Sequence, residues 1–138
     1  MCTSCKPRPV FTGKVAAGII EQDGKYLIAQ RAKKDSYENC WEFPGGKQEE
    51  GETLEECLAR ELYEELHINA TIGNHVCSWP FEYNGRSMEL IAFKVISYEG
   101  TIECKEHKEI RWVPIEELPK YTFPEADIII LESLKKLV

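Results

Sequence analysis

Three glutamates, Glu61, Glu64 and Glu65, stand at i, i+3 and i+4 of a stretch patterned as a helix, so they share one face. Projected at about 100° per residue, Leu54, Leu58, Leu62 and Leu66 form an apolar stripe with Cys57 on its edge. A solvated acidic helix sets its acids opposite such a stripe. Here Glu61 and Glu65 fall between Cys57 and the leucines, with Glu64 just beside them. Carboxylates at a core boundary are unfavourable unless paired or bound to a cation, and three on one face suit a divalent metal. The plainer alternative is a solubilising acidic helix with Arg60 as its ion-pair partner.

A glycine-containing loop must deliver the chain to this helix. Trp41-Glu42-Phe43-Pro44-Gly45-Gly46-Lys47 comes first, where Pro44 stops any helix and the paired glycines allow close approach of backbone to a ligand. Gly46, five residues, Glu52, seven residues and then Arg60-Glu61-Leu62-Tyr63-Glu64-Glu65-Leu66-His67-Ile68 follow in order. This order resembles the signature of the Nudix hydrolases, G-x5-E-x7-R-E-U-x-E-E-x-G-U, with U a bulky aliphatic residue. One position departs: His67 replaces the last glycine. The resemblance runs from Val15 to Leu137 and is greatest to the MutT-like and CTP pyrophosphohydrolase branch, through residues 41–47 and Phe123-Pro124-Glu125-Ala126-Asp127.

Membership of that family implies an α/β fold, an α/β/α sandwich with a mixed central sheet. It implies hydrolysis of a nucleoside diphosphate linked to another moiety, by water attacking phosphorus. The cofactor implied is Mg²⁺, with Mn²⁺ as a substitute, since hard cations prefer carboxylate and carbonyl oxygen. Carried over position by position, Glu61 and Glu65 are metal ligands, Glu64 is a ligand or the general base, and Gly46 offers its carbonyl. Arg60 pairs with Glu52 and holds loop to helix, which makes Glu52 structural first and catalytic second. Aligned through Trp112, Glu106 takes the place of an extra metal-binding glutamate; a solvated loop acid is the alternative. Arg31 and Phe43 fall where MutT-like members approach the nucleotide, although Arg31 also reads as a surface arginine. Asp127 occupies the place of a base-recognising asparagine. An ionised aspartate only accepts hydrogen bonds and so suits the exocyclic amino group of cytosine, whereas a protonated one could serve a guanine. As a plain structural residue, Asp127 would be an acid favoured at a helix N-terminus.

The resemblance therefore implies a Mg²⁺-dependent nucleoside triphosphate pyrophosphohydrolase that acts on oxidised or modified dNTPs or on CTP/dCTP and releases NMP and pyrophosphate. The alternatives are a Nudix activity on a dinucleoside polyphosphate, to which Tyr83 would point, or on ADP-ribose, and a non-catalytic nucleotide-binding domain. The latter would be expected to lose the box carboxylates, and they are all present.

Length and composition set the outer bounds. The chain has 138 residues, enough for a single domain with one core. Residues 1–12 read as a flexible leader and 13–138 as the domain. With 17 basic and 24 acidic residues the formal charge is −7, which argues against duplex nucleic acid as a partner and leaves a small nucleotide. No apolar run approaches the roughly 20 residues of a membrane span, and the N-terminal stretch lacks the apolar core of a signal peptide. The expectation is a cytoplasmic monomer or homodimer with free thiols. Cys2-Thr3-Ser4-Cys5 reads as part of the leader rather than as a metal pair.

The positioning elements follow from local pattern. Apolar runs either side of Asp23-Gly24, and again of Asn84-Gly85, predict two hairpins. The second has one strand over 69–83, interrupted near Gly73 and Pro80, and a return strand over 87–97. A further strand is expected over 109–113 and a helical turn over 114–118. Pro124 opens a last helix, with Ile128, Leu131, Leu134 and Val138 as its apolar face. At the end of the acidic helix His67 should adopt positive φ as a slightly strained cap. His67 and His107 both read as surface residues able to titrate near neutrality.

Overall fold

Period-two alternation of apolar residues sorts the central strands into two faces, and each face requires its own helix. In β1 (Gly13–Ile19) Ala16 points to one side and Ala17 and Ile19 to the other. In β3 (Lys25–Gln30) Leu27 opposes Tyr26 and Ile28 in the same way. A computed structural model describes residues 12–137 and has this layered form. The Cys2–Cys5 pair, most of the expected leader and Val138 lie outside the described residues.

Two sheets make up the middle layer. One has the order β5-β1-β7-β6, from β5 (Gly45–Lys47), β7 (Arg86–Glu99) and β6 (Asn69–Tyr83) around β1. β1 runs parallel to β7 and antiparallel to β5, so the sheet is mixed, as expected. The other is antiparallel and joins β2 (Glu21–Gln22), β3 and β4 (Trp41–Glu42), with β8 (Glu109–Pro114) also on β3. On one face α1 (Leu54–Leu66) buries Cys57, Leu58, Leu62 and Leu66 against Ala16, Ile91, Phe93 and Val95. On the other, α2 (Glu125–Leu137) packs Ile130, Leu131 and Leu134 against Ile28, Leu90 and Ala92. Trp41 is core, as expected.

Both hairpin turns form with positive φ at Asp23, Gly24, Asn84 and Gly85, the backbone that matches strand twist in two-residue turns. Two expectations need correction. Pro80 does not interrupt β6: it sits in register opposite Glu89, and the irregularities lie between Thr71 and Cys77. β6 is an edge strand, the place in a sheet where proline is tolerated. Ile128 is not on the inner face of α2, being 41% exposed. The helix turns Ala126, Ile130 and Leu134 inward at i, i+4 and i+8, which carries Ile128 to the rim.

No helix among the described residues is long and apolar enough to cross a membrane. Cys40, Cys57, Cys77 and Cys104 are free thiols.

Candidate active site

Close backbone packing carries the glycine loop beneath α1. β5 pairs with β1 so that Ala16 faces Gly46 and Ala17 faces Gly45. A Cβ at Gly45 would stand 1.9 Å from the Ala16 carbonyl oxygen, and one at Gly46 would stand 2.3 Å from Glu61 Cδ. Only glycine therefore brings this backbone against the Glu61 carboxylate. The Gly46 carbonyl also accepts from the Cys57 thiol at 3.4 Å; burial pushes that thiol up to about 12, so it stays a neutral donor.

The helix itself is fixed at both ends. Thr53 Oγ1 accepts from the Glu56 N–H at 3.0 Å while Glu56 Oε1 accepts from the Thr53 N–H at 2.8 Å, a reciprocal cap. At the other end His67 adopts φ 60° and ψ 38°, and its N–H donates to Tyr63 O. The expected left-handed cap is present with histidine in the glycine position.

Arg60 gathers the acids that do not enter the core. Its Nε and Nη2 donate to the two oxygens of Glu52 at 3.1 and 2.8 Å, a bidentate pair, and Nη2 also reaches Lys47 O. Nη1 contacts Glu61 at 2.9 Å and Glu64 at 3.1 Å. The Arg60 hydrogen bonds, with a backbone N–H from Glu49, hold the Glu52 carboxyl down to about 2.

One cavity of about 870 Å³ brings together Gly46, Glu61, Glu65 and Glu106 with Arg31, Phe43 and Asp127. Glu52, Arg60 and Glu64 are not part of its lining; the Glu64 side chain is 44% exposed. Glu65 is the deepest acid, 3% exposed, and its Oε1 has no hydrogen-bond partner. Burial, reinforced by Glu61, Glu42 and Glu106, pushes its carboxyl far above the ordinary range. A buried, unpartnered carboxylate oxygen beside a second carboxylate and a backbone carbonyl is a hard oxygen set, and it fits a divalent cation.

The opposite wall is aromatic and polar. Phe43 stacks on Phe123 at 5.7 Å, and its N–H donates to Asp127 Oδ1 at 3.1 Å. Asp127 is buried in the first turn of α2, and desolvation, with Glu42 nearby, pushes its carboxyl up to about 8. Of the two states the sequence leaves open for Asp127, this burial favours the protonated one. Arg31 is clamped between Asp35 (2.7 Å) and Glu42 (2.9 Å), with its Nε unpartnered. Tyr83 also lines the cavity and donates to Asp35 at 2.6 Å.

His107 corrects another expectation. Its side chain is only 7% exposed, with Nε2 2.9 Å from Glu42 Oε2 and 3.6 Å from Glu65 Oε1. The loop before β8 is drawn in by bonds from Glu103 N to Leu66 O, Lys105 N to Glu65 O and Lys108 N to Gln30 O. Nothing in the local sequence distinguishes His107 from a loop histidine, and Glu42 carries no signal beyond its place in the glycine-loop segment.

Residues 15–133 match the NUDIX domain. The chain belongs to the Nudix family, hydrolases that act on phosphoric anhydride bonds. It is 43% identical over 124 residues to the CTP pyrophosphohydrolase of Escherichia coli (strain K12), covering 90% of this chain and 92% of that one. It is 32% identical over 125 residues to the 8-oxo-dGTP diphosphatase of the same organism, covering 90% and 97%. Among solved structures, that of the E. coli ORF135 protein superposes with a TM-score of 0.83 at 42% identity, over 91% of this chain and 89% of that one.

Proposed function

We propose that this chain is a Mg²⁺-dependent nucleoside triphosphate pyrophosphohydrolase that converts CTP or dCTP, or an oxidised or modified dNTP, to NMP and pyrophosphate. The observation that carries the reading is the arrangement of the cavity. Acids and a backbone carbonyl on the α1 side face an aromatic wall with one polar carboxyl on the α2 side. A phosphate chain and a base need these two surfaces. The names of the two E. coli relatives agree with it.

Gly46, Glu61, Glu65 and Glu106 would hold the cation, which would neutralise phosphate oxygens and lower the barrier to attack by water. Glu64, beside them on α1, serves as a ligand or as the base that takes the proton from water. Arg60 and Glu52 keep the loop under the helix. Phe43 offers a flat apolar surface to the base, Asp127 a hydrogen-bonding edge, and Arg31 a positive charge near the nucleotide. A protonated Asp127 both donates and accepts, so it can serve cytosine and an oxidised guanine alike.

The second reading is a dinucleoside polyphosphate or ADP-ribose as substrate, and Tyr83 on the cavity wall favours the first of these. A nucleotide panel with Mg²⁺, resolving pyrophosphate from phosphate, tests both. Pyrophosphate from CTP, dCTP or an oxidised dNTP supports the first reading, and turnover of the dinucleotides alone supports the second.

A further inference from the structure

The contacts of Glu42 and His107 are not accounted for by nucleotide hydrolysis. With Glu65 they offer three ligand atoms, all within 4.8 Å of one another. Each comes from a different element: β4, α1 and the loop ahead of β8. The His107 imidazole is 93% buried by its 7% exposure, and Glu65 Oε1, likewise buried, is aimed at Nε2 without a hydrogen-bond partner. At 3.6 Å the Glu65–His107 separation is too long for a hydrogen bond, so direct contact does not satisfy this oxygen.

Ligand spacing points to what would satisfy it. Nitrogen and oxygen ligands about 2.0–2.1 Å from a tetrahedral zinc ion stand about 3.3 Å apart. The observed 2.9 and 3.6 Å straddle that value. Glu42 Oε1 is held by Arg31 at 2.9 Å, which leaves Oε2 oriented toward the ring. His107 Nδ1 has no protein partner and can carry the ring proton, which frees the Nε2 lone pair. Three protein ligands with the remaining position open to the cavity describe an open zinc-type site. An imidazole ligand favours Zn²⁺, Co²⁺ or Ni²⁺, whereas Mg²⁺ prefers oxygen alone.

We propose that Glu42, Glu65 and His107 form a second, nitrogen-containing metal site that takes Zn²⁺ or a similar transition-metal ion in preference to Mg²⁺. It lies beside the all-oxygen site at Gly46 and Glu61 and shares Glu65 with it. The proposal rests on the nucleotide-hydrolase reading only in that shared ligand.

The test uses the full chain, stripped of metal and labelled with ¹⁵N in its three histidines, His67, His75 and His107. Stoichiometric Zn²⁺ should move the His107 Nε2 resonance to a metal-bound position and leave His67 and His75 in place, while Mg²⁺ alone should leave His107 unmoved. Glu42→Gln, which keeps the shape of the side chain, should weaken Zn²⁺ binding more than about tenfold. Uptake of Zn²⁺ with His107 unmoved would place the ion at other ligands, carboxylate oxygen or cysteine sulfur, and overturn the proposal, as would an equal response to Mg²⁺ or unchanged affinity in Glu42→Gln. Mg²⁺-supported nucleotide hydrolysis, measured in parallel on the unlabelled chain, reports on the hydrolase reading separately.

Discussion

The backbone N–H of Phe43 donates to Asp127 Oδ1 at 3.1 Å, tying the strand before the glycine loop to the first turn of α2, 84 residues away. That bond holds an aromatic ring and a carboxyl together on one wall of the cavity.

Asp127 should make stability depend on pH. Its carboxyl is raised from 3.8 to about 8 on folding. A raised value means that the contribution is fully present below pH 3.8, declines between there and about 8, and is gone above. Asp127→Asn cannot ionise, so the stability of the wild type relative to the variant should fall across that window, by at most about 1.4 kcal/mol per pH unit. Melting curves of both proteins over the pH series check this; a pH-independent difference would contradict it. Ratios of kcat/KM for cytosine and oxidised-guanine nucleotides should also depend on pH in the wild type and not in Asp127→Asn.

Gly46→Ala should preserve the fold and damage the site. The new Cβ would lie 2.3 Å from Glu61 Cδ, so the carboxylate must move. Overpacking of this kind costs about 1–3 kcal/mol, and displacing a catalytic group by about 1 Å can cost about 10²-fold in rate. The readout is turnover against Mg²⁺ concentration, where wild-type half-saturation would show that Glu61 does not need this glycine.

Glu65→Gln should trade activity for stability. Burial raises the carboxyl of Glu65, so its ionisation opposes folding increasingly as pH rises above the ordinary carboxylate range. The metal-free glutamine variant should therefore melt higher than the wild type at alkaline pH. Its turnover, and that of Glu64→Gln, should fall by orders of magnitude. Near-wild-type hydrolysis by both would remove these acids from the site.

Arg60→Lys keeps the charge and loses the fork that grips both oxygens of Glu52. As Arg60 is partly exposed, its effect on stability should be no more than about 1 kcal/mol. The freed loop should lower kcat more than it changes KM. Unaltered kcat would show that the loop holds its place without the pair.

Much of the site is written locally. The spacing of Glu61 and Glu65 against the leucines marks a helix whose acids face inward, and both do border the cavity. Arg60 and Glu52 are close in sequence, so their pairing is readable too. The Asp-Gly and Asn-Gly turns declare the hairpins because few residues accept positive φ. What remained hidden is long-range. His107 is drawn inward by backbone bonds to the ends of α1 and β3, and Glu42 reaches it across 65 residues. The protonation of Asp127 depends on burial by distant segments. Ile128 and Pro80 depart from the sequence pattern because helix phase and edge position are set by packing rather than by composition.

The most direct test of the central claim follows the products of CTP and oxidised dNTPs by ³¹P NMR, with Mg²⁺, for the wild type and Glu61→Gln. The wild type should yield NMP and pyrophosphate, and the variant should be slowed by orders of magnitude. Release of orthophosphate, or equal rates from both proteins, would contradict it.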